Sequence, residues 1–377
     1  MDFSLTEEQE MLRKSARDFL VAECPKALVK EIEASDLGYS EELWRKMADL
    51  GWMGLIIPEE YKGEGFSLLD LAVLFEEFGR AAVPGPMFCT TTMGALPIME
   101  WGTEEQKKTL LPKIASGDVI MTMALSEPDV NYDPRSVSTR AESRDGGFEV
   151  TGTKLFVPYA HVAHRMLVVA RTQGEAGDDK GLTVLLVDGK AGAIKCLPLV
   201  TIARDKQSEV VFEKVPAPVE DVLGGVNEAL PMAQSILQKA SALECAMAVG
   251  GAQQELEITA EHTKTRKQFD RPIGTFQAAQ HRVADMFIDV SGARWTTYQA
   301  IWRLSEGLPA GKEVAIAKAF TNMACQRVAA SAQQLHGGLG VDLDYDLHFY
   351  FRRAKSYDLN LGVTAHHLKA LEGEFGF

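Results

Sequence analysis

Apolar residues recur at three- and four-residue steps from Leu5 to about Gly117. Leu12, Ala16, Phe19 and Leu20 mark one helix face, and Thr6 followed by acids reads as its N-cap. A turn-rich stretch, IPEEYKGEGFS at 57–67, separates helices, and the segment 103–118 opens another with Thr103 and Glu105 in its first turn. Between about Val119 and Val222 the period shortens to β-type runs: FEVTGTKLFV (148–157), MLVVAR (166–171), LTVLLVD (182–188) and EVVFEKV (209–215). From about Asn227 helical windows return at 228–263, 276–305, 310–336 and 346–374, which predicts a four-helix bundle. The expected organisation is an α+β multi-domain chain: an N-terminal all-α domain over 1–118, a small β-barrel or sandwich domain over 119–225, and a C-terminal bundle over 226–377. No β-α-β alternation is present, which argues against a Rossmann domain.

Composition narrows the function. The 377 residues are 46% hydrophobic and 24% charged, ordinary values for a chain with sizeable buried cores. A formal charge of −14 opposes generic binding to nucleic acid or anionic membranes, so an anionic ligand requires a local basic pocket. No apolar run reaches the ~18–20 residues of a membrane span, and the N-terminal MDFSLTEEQEMLRKS is acidic and amphipathic, unlike a signal peptide. A cytoplasmic location is the resulting expectation. Cys24, Cys89, Cys196, Cys245 and Cys325 show no CxxC spacing, so neither a disulfide framework nor a zinc site is expected.

Four segments then fall in register with one pattern: LGWMGLIIPEEYKGEGFSLLDLAVLFEEFGR (50–80), MALSEPDVNYDPRSVSTRA (123–141), HTKTRKQFDRPIGTFQAAQHRVADM (262–286) and QLHGGLGV (334–341). Together they resemble the acyl-CoA dehydrogenase family across essentially the whole chain. That resemblance implies a helical, β and four-helix-bundle architecture, a tetramer with FAD shared between subunits, and oxidation of the α,β-bond of a CoA thioester. Electrons would pass to an electron-transfer flavoprotein. By the same resemblance Ser126 stands beside the flavin ring, Phe156 and Pro158 stand at its N5 edge, and Arg266, Phe269, Gln277, Gln334, Gly337 and Gly338 hold the diphosphate and adenosine. The residue types suit these roles, since Arg forks onto phosphate oxygens and Gly permits close backbone approach.

The chain departs from the family in two places. Where W-I-T-N is usual it reads Phe156, Val157, Pro158, Tyr159, and Pro158 offers neither hydroxyl nor N–H. The α-proton needs a carboxylate to accept it, yet the usual position of that base is Leu361 and the minority position, on the first helix of the bundle, is Ala240. Glu244 lies one turn beyond Ala240 on the same apolar stripe as Ala233, Met247 and Gly251, which marks it either as a relocated base or as an acid paired with a structural Lys or Arg. His366–His367 point about 100° apart and make a poor metal pair, and no metal site is expected. His336 reads as a neighbour of the dinucleotide diphosphate. Thr90, Thr91 and Thr92 read as acyl-pocket residues or as an N-cap run. The missing acids also motivate a second reading, a non-catalytic subunit that completes the FAD site of a partner in an α2β2 assembly in place of a homotetramer.

Overall fold

A computed structural model of the chain describes residues 4–375. The helix starts follow their caps. In α1 (Glu7–Glu23) the Thr6 hydroxyl accepts from the Gln9 amide while the Gln9 side chain accepts from Thr6 N–H, a reciprocal box that satisfies two otherwise orphaned donors. After α2 (Lys26–Ala34) and α3 (Glu41–Asp49), α4 (Leu68–Ala81) repeats the device with Ser67 and Asp70. Next, α5 (Met87–Thr90) runs through a π-helical turn at Thr91–Ala95 into α6 (Leu96–Trp101). Thr103 caps α7 (Glu104–Ala115), with Gln106 rather than an acid closing the box.

The middle of the chain forms one eight-stranded sheet from β1 (Met121–Ala124), β2 (Arg140–Arg144), β3 (Gly147–Pro158), β4 (Arg165–Arg171), β5 (Leu182–Asp188), β6 (Ile194–Leu199), β7 (Gln207–Pro218) and β8 (Val222–Leu223). Its order is β6-β7-β3-β2-β4-β5-β8, with β1 alongside β4 in parallel. The central strands β4 and β5 are buried on both faces, which explains their unbroken apolar runs. The polar RAESR of β2 gave no alternation and became legible only through its pairing with β3.

The C-terminal region comprises α8 (Leu230–Thr265), a two-stranded hairpin of β9 (Lys267–Gln268) and β10 (Arg271–Pro272), then α9 (Gln277–Ser305), α10 (Gly311–His336), α11 (Leu347–Leu359) and α12 (Thr364–Phe375). The helix expected over 346–374 is therefore two helices. Leu361 at φ 54° and Gly362 at φ 111° adopt left-handed backbone that no helix continues through.

By packing, the chain divides into two compact units: a helical unit of residues 1–30, 67–83 and 241–377, and a second unit of 31–66 and 84–240 that carries the sheet. In the second, Val150, Met166, Val168, Leu185, Val210 and Phe212 are among the residues that build the sheet's core. In the helical unit, α4 crosses α8 at backbone contact. A Cβ on Gly79 would stand 1.8 Å from the Met247 carbonyl oxygen, and one on Gly250 would stand 1.8 Å from that of Glu76. Gly251, one residue on, would meet only ordinary contacts at 3.6 Å and beyond.

The two glycine types should therefore respond oppositely to alanine. Gly79→Ala and Gly250→Ala are expected to lose about 1–3 kcal/mol or more in denaturant unfolding, because the crossing helices must separate. Gly251→Ala should be neutral or gain up to about 1 kcal/mol through helix propensity.

Candidate active site

Two carboxyls project from the buried side of α8, Glu244 and Glu255. They are 11 residues apart, close to three full turns, so they share one face at roughly 16 Å separation along the axis. Their surroundings differ. Glu244 Oε2 accepts from the fully buried Lys318 ammonium of α10 at 2.5 Å, and the same Nζ donates to the Tyr357 carbonyl of α11 at 2.6 Å. Burial pulls the Lys318 ammonium down, but the Glu244 charge outweighs it and the net shift is upward. The Lys318 ammonium is thereby favoured in its charged form. Glu255 has no such partner: its Oε1 is buried without a hydrogen bond, and burial pushes its carboxyl well above the usual range. It faces a cavity of about 10 Å³, lined by Gly79, Gly251, Cys325, Tyr350 and Tyr357 among others. Glu255 escaped the sequence reading. The available signal was its position, one turn past Gly251 on the Glu244 stripe.

Around the positions where acids are usual, the side chains are aliphatic. Ala240 is fully buried. Leu361 sits in the left-handed turn between α11 and α12, a turn that is firmly held. His367 Nε2 bonds the Leu361 carbonyl at 3.0 Å and Asn322 Nδ2 donates to the Gly362 carbonyl at 3.3 Å. Burial, helped by the Lys318 charge, pulls the His367 imidazole down to about 4, so it stays neutral and acts as a strut. His366 and His367 meet edge to face at 5.1 Å, and no cluster of metal-ligating side chains exists among the described residues.

In the sheet unit the segments expected beside the flavin converge on one buried ion pair. Lys154 Nζ, on β3, donates to Glu127 Oε1 at 2.8 Å and to the Leu125 carbonyl at 3.0 Å. Glu127 also accepts from Ser138 N–H and Oγ and from Thr139 N–H. Burial would raise this carboxyl, but the Lys154 ammonium and these donors outweigh it and hold it at about 2. Leu155 N–H bonds the Ser126 carbonyl at 2.8 Å, leaving the Ser126 hydroxyl half-exposed and unengaged among the described contacts. Just beyond, a β-bulge between Lys154 and Val157 places Phe156 at φ 56° and leaves its ring 44% exposed. Bulges re-aim side chains in this way. The Pro158 carbonyl accepts from the Thr122 hydroxyl at 2.6 Å, and Tyr159, at φ 51°, accepts from Gly85 N–H through its hydroxyl. The three threonines at 90–92 are fully buried and cap no helix. Thr90 Oγ1 exchanges bonds with the Met121 backbone, Thr92 Oγ1 donates to the Phe88 carbonyl, and Thr91 Oγ1 has no partner.

In the helical unit the residues expected to hold a dinucleotide gather in two segments. Arg266 caps the end of α8 through its N–H to the His262 carbonyl and makes no ion pair among the described residues. Phe269, at φ 51° in the β9–β10 turn, is 86% exposed and lies edge-on to Phe276, and Gln277 opens α9. Gln334 is exposed on the last turn of α10, followed by Gly337 at φ 60° and Gly338, whose added Cβ would meet nothing within 4 Å. A stack of His262 on His336, ring centroids 4.1 Å apart, brings the two segments together. Exposed donors and open backbone that are not consumed internally fit an FAD diphosphate, as does the unused Ser126 hydroxyl beside a flavin edge.

Two outcomes follow from the ion pairs. Lys318→Met strips the buried Glu244 carboxylate of its ammonium partner and is expected to cost about 3–5 kcal/mol in unfolding experiments. Glu127, depressed in the fold, contributes stability that is complete above its unfolded pKa of ~4.3 and is lost as pH falls toward about 2. Glu127→Gln should therefore show a shallower loss of stability between pH 5 and 3 than the wild type, by up to about 2 kcal/mol.

Comparison with known proteins shows the family. Family models match along the chain: the acyl-CoA dehydrogenase N-terminal domain over residues 6–118, the middle domain over 122–215 and the C-terminal domain over 229–372. The probable acyl-CoA dehydrogenase YngJ of Bacillus subtilis (strain 168) is 31% identical over 376 residues, covering 97% of each chain. Butyryl-CoA dehydrogenase from Megasphaera elsdenii superposes with a TM-score of 0.93 at 26% identity, covering 100% of both chains. A chain of the ChsE4–ChsE5 complex from Mycobacterium tuberculosis gives a TM-score of 0.92 at 30% identity, covering 100% of this chain and 99% of that one. With helical N-terminal, β-sheet middle and helical C-terminal domains in the family's order, this chain belongs to the acyl-CoA dehydrogenases, FAD-dependent oxidoreductases acting on the CH–CH bond of acyl-CoA.

Proposed function

We propose that this chain dehydrogenates a CoA thioester with Glu244 as the proton acceptor, delivering electrons to an electron-transfer flavoprotein. The observation that carries the choice of base is the Lys318–Glu244 pair. A base must be ionised before it can accept a proton, and α8 presents two buried acids, of which only Glu244 has a cation to keep it so. In the balanced reaction the α-carbon gives up H⁺ to the carboxylate and the β-carbon gives up hydride, leaving a carbon–carbon double bond. FAD, when bound, supplies the hydride acceptor. This chain's residues do the rest. Ser126 and the β3 bulge border the ring, Arg266, Phe269, Gln277, Gln334, Gly337 and Gly338 bind the dinucleotide, and Lys318 holds Glu244 charged and oriented. The aliphatic Ala240 and Leu361 leave room where relatives carry acids, which favours a bulky or ring-bearing acyl group that presents its proton deeper along α8.

The same ion pair favours a second reading, because a carboxylate saturated by an ammonium also describes a purely structural link. In that reading the chain is the non-catalytic subunit of a heteromeric dehydrogenase, and the similar chain in the ChsE4–ChsE5 complex supports it.

Substitution separates the two. If Glu244 accepts the proton, Glu244→Gln retains FAD and acyl-CoA binding while kcat falls by about 10²- to 10⁴-fold. Near-wild-type turnover in that variant would remove Glu244 from the reaction. Flavin that loads only with a second chain, and that bleaches under acyl-CoA only in that complex, would establish the heteromeric reading.

A further inference from the structure

Both imidazoles of the His262–His336 stack lie in the final turn of a helix, His262 on α8 and His336 as the last residue of α10. The rings are close to parallel, 25° apart. They are differently tethered. His336 is fixed at both nitrogens, Nδ1 to the Ala332 carbonyl at 2.8 Å and Nε2 to the Tyr345 hydroxyl at 3.1 Å. The His262 ring takes no hydrogen bond from within the described chain and is partly exposed. One ring is therefore a fixed platform, and the other has free nitrogens held flat against it.

The surrounding charges give that free ring a purpose. An anion at this place meets the negative ends of two helix dipoles, which oppose its binding unless cations stand beside it. A dinucleotide diphosphate is doubly anionic. Arg266, one turn beyond His262 and with its N–H on the His262 carbonyl, supplies one charge. The groups around the stack are Arg266 from the end of α8, and Tyr345 with its neighbour Asp346 from the segment leading into α11.

We propose that His262 is a proton-linked ligand of the FAD diphosphate, taking up a proton as the dinucleotide binds, with His336 as the positioning residue that holds its ring. The inference rests on the assignment of Arg266, Gly337 and Gly338 to the dinucleotide. Without ligand, burial, the neighbouring His336 ring and Arg266 all lower the His262 imidazole, and burial, against the Ala332 carbonyl bond, lowers that of His336, so the neutral form of each is favoured. A diphosphate oxygen beside His262 reverses the balance for that ring, because an anion favours the imidazolium. The proton added on His262 then donates to the phosphate oxygen. The stack accommodates one positive charge, since the facing His336 stays neutral on its two fixed bonds.

The test is FAD affinity as a function of pH, measured by reconstituting the apoprotein with FAD and following flavin fluorescence. Wild-type affinity is expected to rise as pH falls from about 7.5 to 5.5, with a slope limited to one proton, at most about tenfold per pH unit. His262→Phe keeps a ring for stacking but has no proton to gain, so its affinity should be weaker at low pH and its slope flat. His336→Phe keeps the platform but loses both tethers, and should reduce the slope while leaving thermal unfolding close to wild type. Arg266→Ala controls for the underlying assignment and should weaken FAD uniformly across the range. A slope in His262→Phe equal to that of the wild type overturns the inference. Unchanged affinity in Arg266→Ala overturns the dinucleotide assignment itself, a separate failure.

Discussion

An ammonium and a carboxylate removed from water are tolerated only when each finds the other and their remaining hydrogen-bonding positions are filled. That constraint organises the helical unit of this protein. Lys318 reaches from α10 to Glu244 on α8 and to the Tyr357 carbonyl on α11, so three helices share one buried nitrogen. The consequence extends to the following turn. With the end of α11 anchored by Lys318, and with Asn322 and His367 gripping the Gly362 and Leu361 carbonyls, the left-handed segment that carries Leu361 has one conformation.

The sheet unit answers the same constraint in the same way. Lys154 and Glu127 form a fully satisfied pair, and because Glu127 also takes Ser138 and Thr139, the pair ties together three stretches that are distant in sequence. The Phe156 bulge begins immediately after this anchor. A strained residue in a loose strand would relax, whereas here the ladder is pinned on one side by Lys154 and on the other by Pro158, whose carbonyl is held by Thr122. Pro158, which offers neither hydroxyl nor N–H, is thus held through its carbonyl.

Against these paired groups, Glu255 and Thr91 are among the exceptions, each with a buried polar atom that has no hydrogen-bond partner. Burial alone raises the Glu255 carboxyl, whereas Glu244 on the same face of α8 has the Lys318 ammonium within hydrogen-bonding distance. The contrast between two glutamates three turns apart shows how little the residue type alone determines. One cation within hydrogen-bonding distance separates a carboxylate from a carboxylic acid.

Periodicity and composition by themselves determined the order of helical, β and helical segments and most strand and helix positions. These are local properties, set by the spacing of apolar residues and by caps such as Thr6, Ser67 and Thr103. Resemblance to the family's motifs drew attention to the aliphatic residues at 240 and 361, and helical spacing placed Glu244 on an apolar face. Only the tertiary structure decided what that face meets, because Lys318 is 74 positions away from Glu244 and no local pattern links them. It likewise revealed β2, which is polar and gains its strand character from its partner, the break of the last helix at Leu361, and the stacking of His262 on His336 across 74 residues. Charge state, pairing and ring contact depend on neighbours brought together by folding, and a sequence read one window at a time does not contain them.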